Sequence, residues 1–127
     1  MKLLEVAAKI ALGSANENLH HNRQFLIGAL AERTDGAIVV SHNITAPSPM
    51  PTAHAESRVL RKADARCTLY VARVTRDGLW AMSKPCANCQ NLIRSRRVHK
   101  VYYTIAPGHY GIWKVKSDEW IEVKRTK

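Results

Sequence analysis

The apolar positions of the chain change period several times, and each change marks an element. Over residues 2–17, Leu3, Leu4, Ala7, Ala8, Ile10 and Ala11 recur at helical spacing while Lys2, Glu5 and Lys9 fall off the stripe, which predicts an amphipathic first helix. The runs FLIGALAE and AIVVSHN are strand-like, and Asp35-Gly36 between them supplies the turn of an antiparallel hairpin. Pro47, Pro49 and Pro51 exclude regular helix or central strand over residues 44–52, so this stretch is a loop. The next segment, AHAESRVLRKADA, consists of good helix formers, with Val59 and Leu60 as its apolar contact, and predicts a second helix starting near His54.

Beyond it, the β-branched and aromatic run from Cys67 to Val74 reads as a strand, and Asp77-Gly78 offers a turn into a hairpin extension over LWAMS. A third helix is predicted over CANCQNLIRSRRV, because Leu92 and Ile93 sit at helical spacing from Cys89 and Pro85 stands just before the first turn. HKVYYTI then reads as a buried strand, PGHYG as a turn or loop, and WIEVK as a last short strand. This order is that of a mixed α/β protein with one sheet covered by helices.

The bulk numbers narrow the class. A length of 127 residues with no internal repeat or linker-like run predicts a single domain over residues 1–127. A hydrophobic share of 46% is ordinary for a globular chain and too rich for a disordered one. No apolar stretch approaches the ~18 residues needed to span a bilayer, and the charged first helix is not a signal peptide, so the expected compartment is the cytoplasm, with no membrane partner. In that compartment clustered cysteines bind metal or do chemistry more often than they pair. Twenty Lys and Arg against ten Asp and Glu give a net charge of +10 and a pI near 10.0, which implies an anionic partner. Charge alone does not choose between a nucleotide phosphate, a nucleic acid backbone and an acidic protein.

The chemistry concentrates in two motifs, His54-Ala55-Glu56 and Pro85-Cys86-Ala87-Asn88-Cys89, both at predicted helix starts. A CxxC pair by itself fits a redox couple or half of a structural zinc site as well as a catalytic metal. Together with the histidine it makes three nitrogen and sulfur ligands, the number a catalytic zinc takes while leaving a fourth position open. Cysteines three apart on a first helical turn face the same side, and the positive helix end favours the thiolate. Glu56, two residues past His54, is placed to reach water at the metal without ligating it. Cys67 and His109 have no supporting spacing, and Cys67 reads as a small buried hydrophobe. Trp80, Tyr103, His109 and Tyr110 are candidates for stacking on a base, although Trp80 and Tyr103 lie in strand patterns. His20 and His21 read as solvent-facing. The basic groups Arg94, Arg96, Arg97 and Lys100, and Arg58, Arg61, Lys62 and Arg66, read either as helix-end and solvated faces or as a phosphate-binding rim.

His-x-Glu followed by Pro-Cys-x-x-Cys is the signature of zinc nucleobase deaminases. With HAES, SKPCANC and the strand VYYT in order, the chain resembles the cytidine/deoxycytidylate deaminase superfamily over nearly its whole length. PTAHAE, preceded by Asn43, is similar to the motif of tRNA adenosine and guanine deaminases, whereas SKPC and the short C-terminus resemble small deoxycytidylate-type members. Lys84 departs from the Glu that many relatives carry before Pro-Cys. The resemblance implies a three-layer α/β/α fold with a mixed sheet of about five strands flanked by helices. It also implies Zn2+ held by His54, Cys86 and Cys89, Glu56 as proton shuttle, and substrate contacts from Asn43 and from the backbone of Ala55 and Cys86. The implied reaction is hydrolytic deamination of a cytosine-containing nucleoside or nucleotide, by a homo-oligomer. Two alternatives stay open: a deaminase acting on cytosine or adenine within single-stranded DNA or RNA, and a zinc-stabilised binding module without catalysis.

Overall fold

The computed structural model describes residues 2–13, 25–42 and 59–124. The elements are α1 (Lys2–Gly13), β1 (Phe25–Glu32), β2 (Ile38–His42), β3 (Thr68–Thr75), β4 (Trp80–Ala81), α2 (Ala87–Ser95), β5 (Lys100–Ala106), β6 (His109–Lys114) and β7 (Glu119–Lys124). Val59 and Leu60 are helical and buried, but the helix gives way to a turn at Arg61, short of the Ala65 to which the sequence pattern extends it. The start of that helix and the loop at 44–52 lie outside the described residues. Among the described residues no helix is long and apolar enough to cross a membrane.

Among the described residues the seven strands form one sheet in the order β2-β1-β3-β5-β6-β7, with β4 paired to β3. Every pairing is antiparallel except β3 with β5, which run parallel from Thr68↔Lys100 to Val71↔Tyr103. The mixed sheet agrees with expectation, but the count of about five strands is corrected to seven. The turn at PGHYG is confined to Pro107 and Gly108, and His109 already begins β6, whose burial alternates where the Pro and Gly of this stretch predict a loop. The two-residue β4, the hairpin extension predicted after Asp77-Gly78, makes up the rest.

Because side chains alternate across a strand, the central strands feed two cores at once. On one face Leu26, Leu30, Tyr70, Ala72 and Val74 meet Leu4, Ala7, Ala8 and Ala11 of α1. Positions 4, 7, 8 and 11 are one helical stripe, the inner part of the stripe read from the sequence, with Leu3 and Ile10 half-buried beside it. On the other face Ala29, Leu69, Val71, Val101 and Trp113 meet Val59, Leu60 and Ile93. Helices therefore cover both faces of the sheet. The approach of α1 is close because Gly28 lies beneath it, where a Cβ would collide with the Ala7 carbonyl oxygen and stand 2.6 Å from the Ala11 nitrogen.

The hairpin forms as predicted, with Glu32 opposite Ile38 and Gly36 at a φ of 88° in its turn. The Asp35 carboxylate accepts the Ala37 N–H at 3.0 Å, the local bond that suits Asp to turns. Gly78, at φ 85°, turns the chain from β3 into β4.

Candidate metal centre at the fork of β3 and β5

Parallel neighbours require a crossover, and α2 is that crossover. Its first turn follows the point where β3 and β5 diverge, at the carboxyl ends of both strands, where ligands of open α/β sheets gather. The last paired residues are Val71 and Tyr103; beyond them β3 pairs instead with β4 through Arg73↔Ala81 and Val74↔Trp80.

A buried polar cluster closes the fork. Thr104, fully buried, accepts the Arg73 N–H on its hydroxyl at 3.0 Å and donates to the Ala81 carbonyl at 2.7 Å. The Ser83 hydroxyl accepts the Thr104 N–H at 2.8 Å and lies 3.0 Å from the Val71 carbonyl oxygen, to which it can donate. The Ser83 N–H donates to the Thr104 carbonyl at 2.9 Å. Ser83 is thus pinned to both strands, and Lys84, Pro85 and Cys86 leave from a fixed point. We expect Ser83→Ala to cost about 1–3 kcal/mol, since it leaves the buried Thr104 N–H without its acceptor, and to weaken zinc retention. Thermal unfolding and competition with a chelator measure both effects, and an unchanged midpoint with unchanged retention would show that the fork does not depend on this hydroxyl.

Cys86 is the N-cap of α2, in extended conformation at φ −70° and ψ 170°. Its carbonyl accepts the Gln90 N–H at 2.8 Å, while the Gln90 side-chain amide donates to the Pro85 carbonyl at 2.8 Å, so the cap is held from inside the helix. The Cys86 thiol makes no capping hydrogen bond and is exposed. Cys89, one turn on, is buried, and neither cysteine is in a disulfide. Two sulfurs on one first turn, one accessible and one enclosed, with the unsatisfied N–H groups of a helix start nearby, suit a soft divalent ion. The donor set therefore fits zinc. The Lys84 ammonium lies 4.5 Å from the centre of the Trp120 ring.

The structure brings Cys86 and Cys89 together. Asn43, His54, Ala55 and Glu56 lie outside the described residues, as do His20, His21 and Arg58. Among the described residues no group of three metal-ligating side chains occurs. Cys67 is 1% exposed, and burial, followed by the nearby Asp64 charge, pushes its thiol pKa up, which suits a hydrophobe and opposes ligation. The proposed stacking residues are spent elsewhere. Tyr103 is buried and meets Trp120 edge-on at 5.9 Å, Trp80 packs beside the α1 core, and Tyr110 tilts against Tyr102 at 6.5 Å. His109 lies 3.3 Å from Glu122. Ser83, Thr104 and the Lys84–Trp120 contact escaped the sequence reading, because a polar residue in a loop carries no mark of the strand it will bond.

Residues 1–105 match the family model described as the cytidine and deoxycytidylate deaminase zinc-binding region. Among solved structures, cytidine deaminase from Burkholderia pseudomallei aligns at a TM-score of 0.63 and 16% identity, covering 88% of this chain and 92% of that one. Cytidine deaminase from Mycobacterium tuberculosis aligns at 0.57 and 22% identity, covering 84% and 87%. The Mycobacterium leprae enzyme aligns at 0.53 and 19% identity, covering 80% and 90%. At these identities the likeness is one of fold. No curated protein sequence matches.

Proposed function

Because the chain belongs to the cytidine and deoxycytidylate deaminase family, we propose that it hydrolyses the 4-amino group of a cytosine-containing nucleoside or nucleotide, releasing ammonia. The observation that carries this reading is the placement of Cys86 and Cys89 on the first turn of α2 beside the β3–β5 fork, with one thiol uncommitted and the other enclosed. His54, Cys86 and Cys89 would hold zinc. When bound, the ion supplies a Lewis acid that makes water a better nucleophile at neutral pH.

The remaining steps fall to the chain itself. The Glu56 carboxylate takes a proton from the attacking water and delivers it to the ring nitrogen beside C4. As the C4–N bond breaks, the same carboxyl assists proton transfer to the departing amine, so oxygen replaces nitrogen at C4 and one water is consumed per ammonia. Asn43 hydrogen-bonds the base or sugar, and the backbone N–H groups of Ala55 and Cys86 orient the reacting end. A glutamate two residues past the histidine is of no use to a purely structural zinc site, which favours catalysis over a binding module.

The test is a panel of cytosine, cytidine, deoxycytidine, their monophosphates and adenosine, offered to zinc-loaded protein and read by product mass and ammonia. Conversion confined to cytosine nucleosides or nucleotides is the expected result. Turnover of adenosine alone, or of nothing in the panel, would overturn the proposal.

A further inference from the structure

At the other end of α2 the chain builds a second feature. Arg66, Arg94, Arg97, His99 and Lys116 line an open cleft of about 760 Å³. It continues into a second hollow of about 490 Å³ that shares His99 and Lys116 and adds Lys100 and Lys114. The cleft lies by the starts of β3 and β5, on the order of 12 Å along the helix axis from Cys86, at 1.5 Å per residue.

Three local costs converge here. Arg97 occupies the left-handed position of a helix-ending turn, at φ 55°, where glycine is favoured. The turn is complete: the Val98 N–H reaches the Ile93 carbonyl and the Arg97 N–H reaches the Arg94 carbonyl, with Val98 and Ile93 both buried. Arg66 is left-handed too, at φ 68°, and its N–H donates to the Arg97 carbonyl at 2.9 Å. Lys100 and Lys114 stand directly opposite each other on β5 and β6, a like-charge pairing that disfavours the sheet. Backbone strain and cation crowding gathered at one place point to a function there.

Helix capping does not account for these charges. The last-turn carbonyls of α2 are taken by the backbone N–H groups of Arg96, Arg97 and Val98 and by the Ser95 hydroxyl. Nor do acids neutralise the cleft. Arg94 pairs with Asp118 at 3.2 Å and Lys114 with Glu119 at 3.9 Å, whereas Arg66, Arg97, Lys100 and Lys116 pair with no carboxylate among the described residues. The turn between β6 and β7 is itself fixed, the Trp113 indole N–H donating to the Asp118 carboxylate at 3.0 Å.

The geometry points to this cleft as a binding site for the phosphodiester backbone of a nucleic acid, separate from the cysteine centre. A single phosphate needs only two or three donors. Cations strung through two joined hollows instead match a chain of phosphates, with arginine forks for the oxygens and lysines as point charges. Among the described residues no exposed aromatic lines the cleft, which suits following the backbone without reading bases.

A labelled thymidine oligomer is the probe, since it contains no cytosine and binding is read independently of deamination. Anisotropy across a salt series should show affinity falling as salt rises. For Arg66→Ser, Arg97→Gly and Lys116→Ser combined, the slope should lessen by about 0.7 per lost contact, or about 2 in all, with affinity down about tenfold or more at low salt. Arg97→Gly alone should weaken binding while its melting temperature holds or rises, because glycine accepts the left-handed turn, and this keeps the test valid if the triple variant folds poorly. Deamination by the variants should match the parent. Three results would overturn the site: no binding by the parent protein, an equal loss from the charge-matched triple Lys2→Ser, Lys9→Ser and Arg76→Ser, or thymidine monophosphate binding as tightly as the oligomer.

Discussion

A Cys89→Ala protein is expected to purify without zinc and to release no measurable ammonia from any cytosine nucleoside. The thiol is 4% exposed on the first turn of α2, on the stripe that carries Ile93 into the core, so its direction is set by the packing of the helix. Losing it leaves one sulfur and one imidazole, two ligands where a catalytic zinc takes three. Part of any loss could arise from instability, since deleting a buried sulfur costs roughly 1 kcal/mol on the scale of small core truncations. Cys67→Ala separates the two effects. Cys67 is equally enclosed, 1% exposed within the apolar cluster, and lies outside the proposed ligand set. It should lose comparable stability while retaining zinc and full turnover. Metal analysis of the two purified variants decides the matter, and a zinc-loaded Cys89→Ala protein would remove this cysteine from the ligand set.

Glu56→Gln should behave in the opposite manner, keeping its metal and losing its chemistry. The amide has the size of the carboxylate but cannot accept the proton of the attacking water or return it to the leaving group. General acid–base catalysis contributes about 10²–10⁴-fold, so kcat should fall by at least ~10². KM should change little, because the substitution alters proton transfer more than substrate contact. Steady-state kinetics with metal content measured on the same sample tests this, and a kcat within a few fold of the parent protein would take Glu56 out of the reaction.

How far the sequence could be read depended on whether a signal was local. The α1 stripe, the Asp35-Gly36 hairpin, the start of α2 at the cysteines and the burial of Cys67 follow from periodicity, turn chemistry and residue type. The short β4 was legible as well, as the hairpin extension that Asp77-Gly78 announces. β6 was not, because it begins one residue past Gly108, inside a stretch whose Pro and Gly speak for a turn. The polar closure of the fork was equally hidden, since it joins Ser83 to Thr104 across 21 positions and no spacing rule links them. The basic residues were visible as a cluster, but the left-handed backbone of Arg66 and Arg97 was not, because arginine gives no warning of that conformation. That Cys86 and Cys89 share a single helical turn was legible, because their spacing and Pro85 mark a helix start.

The hydrogen bonds that knit Ser83, Thr104 and Val71 are wholly internal to the polypeptide. If the cysteines take a metal as proposed, the ion would meet two sulfurs whose backbone folding has already immobilised, and their ordering would not be charged against its affinity. The same bonds would tie its retention to the polar closure of the sheet, so loosening that closure should speed exchange of the ion.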